Sequence, residues 1–113
     1  MAQIADLSAQ DGKFTVYYYD DGNISSEGYL LEGKPNGYWT TYYPSGQIKS
    51  EGNRKQFQLD SIWAFYNEEG ALSSKITYDQ GIKNGEVLTY QNGILYERVL
   101  LESNKRSGIA EIY

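Results

Sequence analysis

Short runs of aromatic and β-branched residues, broken by glycine-containing turns, recur along residues 12–113. In residues 38–43 (Tyr-Trp-Thr-Thr-Tyr-Tyr) every side chain favours an extended strand. Pro44-Ser45-Gly46 then supplies a turn, with glycine free to take positive φ, and residues 47–53 return as a second strand. Asp21-Gly22, Glu69-Gly70 and Asn92-Gly93 mark the same turn elsewhere. Residues 32–37 (Glu-Gly-Lys-Pro-Asn-Gly) and 80–85 (Gln-Gly-Ile-Lys-Asn-Gly) suit a second tight turn that links one hairpin to the next. The pattern predicts an all-β meander of about nine strands. Helix is weakly signalled only in residues 4–10.

The turn glycines Gly22, Gly46, Gly70 and Gly93 are spaced 24, 24 and 23 residues apart. Unit starts at Gly12, Gly37, Ser61, Gly85 and Gly108 are spaced 25, 24, 24 and 23 apart. Two interleaved landmarks with one period mean internal duplication. The chain divides into an N-terminal segment, 1–11, and a repeat domain, 12–113. Its units are 12–36, 37–60, 61–84 and 85–107, with a partial unit at 108–113. Aligned by their starts, Phe14, Trp39, Trp63 and Val87 share a position, and Tyr17, Tyr42, Tyr66 and Tyr90 follow three residues on. Ile24, Ile48, Leu72 and Leu95 each follow their turn glycine by two. A lone hairpin cannot bury such groups, so stacked neighbours must cover them. Strict alternation puts Trp39 and Tyr42 on opposite faces; either both faces carry aromatic ladders or a bulge brings the rings together.

Composition narrows the chemistry. The net charge of −5 disfavours nonspecific binding to nucleic acid or anionic lipid. No apolar run approaches the roughly 20 residues of a membrane span. Histidine and cysteine are absent, which excludes disulfides, thiolate metal sites and Ser-His or Cys-His dyads. Asp20-Asp21-Gly22-Asn23 has oxygen ligands but not the spacing of a calcium loop. No phosphate-cradling glycine loop precedes a helix. The expectation is a non-enzymatic chain with no catalytic residue, metal or cofactor. Glu27 and Glu51 recur in the repeat, and Lys75 and Arg98 hold the same place in later units; this predicts cross-strand charge pairs between neighbours. Ala2-Gln3 after Met1 reads as a mature end behind a small-residue cleavage site, as in a periplasmic or exported protein; an intact cytoplasmic chain is the other reading.

Residues 42–52 (Tyr-Tyr-Pro-Ser-Gly-Gln-Ile-Lys-Ser-Glu-Gly) resemble the repeat of the YwqK-type MORN-variant proteins, the antitoxin components of toxin–antitoxin systems. Residues 63–70 and 81–85 are similar to that family's units, and the resemblance covers about residues 12–113. It implies stacked β-hairpins in an elongated, curved, single-layer antiparallel sheet. It also implies a protein-binding role, such as neutralising a toxin or scaffolding.

One connector breaks the pattern. Residues 53–61 (Asn-Arg-Lys-Gln-Phe-Gln-Leu-Asp-Ser) lack both connector glycines and place Phe57 and Leu59 in a polar context. Either this is a partner contact, since repeat proteins place specificity where units diverge, or it is drift with Phe57 tucked onto the sheet. Tyrosine, 12 of 113 residues, suits a protein-binding face because it offers rigid area plus a hydroxyl. The expected contacts are Tyr18, Tyr43 and Tyr90 on a concave face, with Phe57 and Leu59 at its edge. The acidic balance points to a basic protein partner, such as a basic toxin. A glycan- or cell-wall-binding module, whose exposed rings stack on sugars, and a structural spacer of a larger exported protein are the alternatives. Exposure of the ladders discriminates them: buried Trp39 and Trp63 would favour the protein-binding module or the spacer, and a row of solvent-facing rings in a groove would favour the glycan reading. The strand at 109–113 leaves a sheet edge suited to self-association.

Overall fold

The computed structural model describes residues 12–106 and 110–113. The expected helical segment at 4–10 and residues 107–109, including Gly108 and Ile109, lie outside the described residues. Ten strands follow in chain order: β1 (Lys13–Tyr18), β2 (Ile24–Leu31), β3 (Lys34–Tyr42), β4 (Ile48–Lys55), β5 (Gln58–Tyr66), β6 (Leu72–Asp79), β7 (Ile82–Gln91), β8 (Ile94–Glu102), β9 (Lys105–Arg106) and β10 (Glu111–Ile112). Each pairs antiparallel with its predecessor as far as β8, and both β9 and β10 pair with β8. The result is an all-β, open, single-layer sheet of stacked hairpins, as the repeat predicts.

The hairpin turns explain the spacing. Tyr43 N–H donates to the Gln47 carbonyl at 2.8 Å and Gly46 N–H to the Tyr43 carbonyl at 2.9 Å; the Asp21-Gly22 and Glu69-Gly70 turns repeat this pair of bonds. The fourth unit pairs Gln91 directly with Ile94, so Asn92-Gly93 forms a turn one residue shorter. That deletion is the step from 24 to 23. The connectors are two-residue turns with both φ angles positive: Glu32 54° and Gly33 79°, Gln80 50° and Gly81 82°. This geometry matches the right-handed twist of the flanking strands. The divergent connector keeps it, with Gln56 at 52° and Phe57 at 71°. Ser61, φ 61°, likewise holds the left-handed place of Gly37 and Gly85. A bulky side chain at such an angle is a strained outlier that its surroundings must hold in place.

Both faces carry ladders, and a bulge between Thr41 and Tyr42 leaves Trp39 and Tyr42 apart. In the first unit the ladder members are Thr15 and Tyr18 rather than the expected Phe14 and Tyr17. Thr15 pairs with Gly28 as Trp39 does with Gly52, and Tyr18 with Ile24 as Tyr42 does with Ile48. Register is set from the hairpin turn outward, so the extra residue between Gly12 and Gly37 falls outside the ladder.

Among the described residues the buried apolar side chains are Trp39, Trp63 and Val99. Each tryptophan lies across a glycine of the strand before it. A Cβ on Gly28 would sit 2.4 Å from Cδ2 of Trp39, and one on Gly52 would sit 2.3 Å from Cδ2 of Trp63. Where the third unit has Ile76 in the glycine's place, its partner is the smaller Val87. The two positions exchange bulk reciprocally, which is how packing at fixed strand spacing stays filled.

Candidate functional site

Alternation places Trp39, Thr41, Ser50, Arg54 and Trp63 on one face of the sheet. Here lies a groove of about 460 Å³, walled by Trp39, Trp63, Phe65 and Leu59. Ser26, Thr41 and Ser50 bring hydroxyls to it, and Pro35, Tyr78 and Arg54 complete the lining. Thr41 Oγ1 and Ser50 Oγ lie 2.6 Å apart. The indoles are committed to the sheet: Trp39 Nε1–H donates to the Tyr29 carbonyl at 2.7 Å, and Trp63 Nε1–H to the Asn53 carbonyl at 2.9 Å. A second groove of about 420 Å³, lined in part by Asn36, Lys55, Gln56 and Phe57, sits at the connector end, and Arg54 borders both.

The divergent turn is pinned from three sides. Phe57 N–H donates to Asn36 Oδ1 at 3.0 Å, and Arg54 Nη1 donates to the Phe57 carbonyl at 3.1 Å. Lys34 Nζ stands 5.3 Å from the Phe57 ring centroid. Arg54 also lies over the Trp63 ring at 5.9 Å.

The reverse face is a tyrosine–glutamate lattice. Glu51 on β4 accepts from Tyr38 of β3 at Oε1 and from Tyr66 of β5 at Oε2, both at 2.7 Å, so one carboxylate ties three strands. Glu27 accepts the hydroxyl of Tyr42. Partial burial, followed by the hydrogen bond to the carboxylate, pushes the Tyr38 and Tyr42 phenols up to about 12. For Tyr66 the hydrogen bond to Glu51 is the larger cause, and its phenol also rises to about 12. These contacts correct the expected charge pairs at Glu27 and Glu51, which hold tyrosines because a tyrosine recurs on the next strand at each, whereas at Arg98 the expected cross-strand pair between neighbouring units forms. The ion pairs among the described residues join Arg98 to Glu86 and, at 2.8 Å, to Glu111.

The five expected contact residues do not share one face. Leu59 lines the tryptophan-side groove and Phe57 the adjoining connector groove. Tyr18 and Tyr90 hold the same register as Tyr42 and Tyr66 and stand on the reverse face, Tyr18 at 63 % exposure. Tyr43 sits at the hairpin-turn end, where its hydroxyl donates to the Tyr66 carbonyl at 2.7 Å. Arg54 and Tyr78 went unnoticed in the sequence. The signal for Arg54 was present, since it stands three residues before Phe57 in the one connector that breaks the pattern. Among the described residues no group of three or more acidic side chains is placed to hold a metal ion.

The family profile described as MORN repeat variant matches residues 35–56. The match supports a MORN-repeat protein. It spans nearly all of β3, the hairpin turn and the whole of β4, and so includes Trp39, Glu51, Gly52 and Arg54. MORN repeats are generally binding modules, and a non-catalytic repeat module is consistent with this geometry. No curated protein and no solved structure matches the chain.

Proposed function

We propose that the chain is a non-catalytic protein-binding module whose partner lies across the tryptophan-side groove and the Phe57–Leu59 connector. One observation carries this reading. Trp39 and Trp63 are 6 % and 5 % exposed and spend their N–H groups on backbone carbonyls. Stacking on a sugar needs an open ring face, and neither indole offers one to the glycan alternative. A groove edged by a half-buried leucine and phenylalanine suits a protein surface, where a few buried anchors carry the energy. The finer form of the proposal is an antitoxin- or immunity-like protein that neutralises a toxin, or a scaffold; the resemblance to YwqK-type repeats supports it. The net charge of −5 favours a basic partner at long range, with association that slows as salt rises. Ile112 and Tyr113, 66 % and 60 % exposed beside the C-terminal edge, fit self-association through that strand.

The test changes Phe57 and Leu59 together to Ser and measures capture of the native partner beside thermal stability. Capture is expected to fall at least tenfold while the sheet remains folded. Phe57→Gly serves as the control for packing. Relief of left-handed strain, about 1–2 kcal/mol, offsets the lost ring, so stability should stay within about 1 kcal/mol of wild type. Capture retained by the Ser pair, with stability lost, would mean that these residues only plug the sheet.

A further inference from the structure

The groove has a charge of its own, opposite to that of the chain. Arg54 is the charged side chain in its lining, and no carboxylate lines it. Lys34 and Lys55 flank the same connector, Lys34 over the Phe57 ring. Against these stand Glu32, also on the connector groove, and Asp60, whose Oδ2 accepts from Ser61 Oγ at 2.9 Å. Among the described residues Arg54 makes no ion pair; the pairs that form belong to Arg98. One guanidinium N–H is held by the Phe57 carbonyl, and its Cζ stands over the Trp63 ring at 5.9 Å. A guanidinium oriented in this way keeps further donors in a rigid fork that matches a carboxylate.

The strained turn does the positioning. Phe57 occupies the left-handed place that Gly33 and Gly81 hold in other connectors, at φ 71°. That conformation places its carbonyl against Arg54, while Asn36, 8 % exposed, takes its N–H. Strain of this kind persists where surroundings over-determine it, and it is a pointer to function. A cation with a fixed orientation therefore stands at the rim of an apolar groove, between two aromatic anchors.

We propose that this groove receives an acidic segment of the partner protein, with a carboxylate on Arg54 and its apolar neighbours between Leu59, Trp63 and Phe65. The proposal rests on the protein-binding reading above and names the chemistry of the contact. It also refines the partner. Long-range steering and local contact have opposite signs here, and a basic protein that inserts one acidic, apolar-flanked segment satisfies both.

Two capped peptides test it, Ac-Gly-Leu-Glu-Phe-Gly-NH2 and the same peptide with Gln for Glu. Each is titrated into 15N-labelled protein, with the two indole N–H signals as reporters. The Glu peptide is expected to shift the Trp63 signal saturably and to bind at least tenfold more tightly than the Gln peptide. Arg54→Gln should erase that difference while the indole signals of the free protein keep the dispersion of a folded sheet. Equal binding of the two peptides, or no saturation with either, overturns the proposal. So does a Trp63 shift produced without peptide by Asp6→Asn with Asp11→Asn, which would make the chain's own N-terminal segment the occupant. Native-partner capture separates the two readings. Loss with the Phe57 and Leu59 pair but not with Arg54→Gln removes the acidic segment and leaves the protein-binding reading standing. Capture unaffected by either change removes both.

Discussion

Trp63→Ala is expected to lower the free energy of unfolding by about 3–5 kcal/mol, the range for removing a buried aromatic side chain. Trp63 is 5 % exposed and lies across Gly52, so its loss uncovers the backbone there. The converse change should be equally severe. Gly52→Ile drives a Cβ to within 2.3 Å of the indole, closer than real contacts allow. The third unit shows how the strain is resolved, with Ile76 opposite Val87. The double variant Gly52→Ile, Trp63→Val copies that pair. Its destabilisation in urea melts should be smaller than the sum of the two single changes by about 1–3 kcal/mol, the coupling of residues in contact. Additive losses would show that indole and glycine do not share one packing site.

The second large effect is at Glu51. Glu51→Gln removes the carboxylate that serves Tyr38 and Tyr66 together. The amide keeps one acceptor oxygen and no charge, so one hydroxyl meets an N–H in place of a carboxylate oxygen and must turn to accept from it. The expected cost is about 1–2 kcal/mol, read from thermal melts at neutral pH. The same lattice sets the alkaline limit. The three phenols rise from 10.0 to about 12 in the folded chain, so the fold holds their protons after the unfolded chain has released its own. Their contribution is complete below pH 10 and is lost as pH climbs through about 12. Melts should show a falling unfolding temperature across that window, and phenolate absorbance should rise late for these three rings. In Glu51→Gln, Tyr38 and Tyr66 should titrate earlier. A Glu51→Gln protein with wild-type stability and titration would dissolve the lattice.

Much of the fold was legible because repetition amplifies weak local signals. One Asn-Gly or Asp-Gly turn is a modest hint, but four turns at one period fix the meander and its strand order. Register in the first unit was not legible, since Gly12 and Gly22 give conflicting origins and only strand pairing chooses between them. The partners of Glu27 and Glu51 were missed for a related reason. A sequence shows which residues recur, but a glutamate whose place passes to Lys75 and Arg98 in later units, and which also faces a tyrosine ladder, has two chemically sound partners, a cation or a phenol. The divergent connector was visible as missing glycines. That its backbone keeps the left-handed turn, with Phe57 under strain and its carbonyl on Arg54, follows from three-dimensional pinning by Asn36 and is invisible in one dimension.

The central claim is that the tryptophan-side face of the sheet meets the partner and the tyrosine–glutamate face does not. A photo-crosslinking amino acid at position 59, on the tryptophan-side groove, and at position 62, where Ile62 is 59 % exposed on the reverse face, tests this directly. Irradiation in the native host should give a discrete crosslinked partner from position 59 and none from position 62. A partner crosslinked from position 62 alone would place binding on the tyrosine–glutamate face and contradict the account.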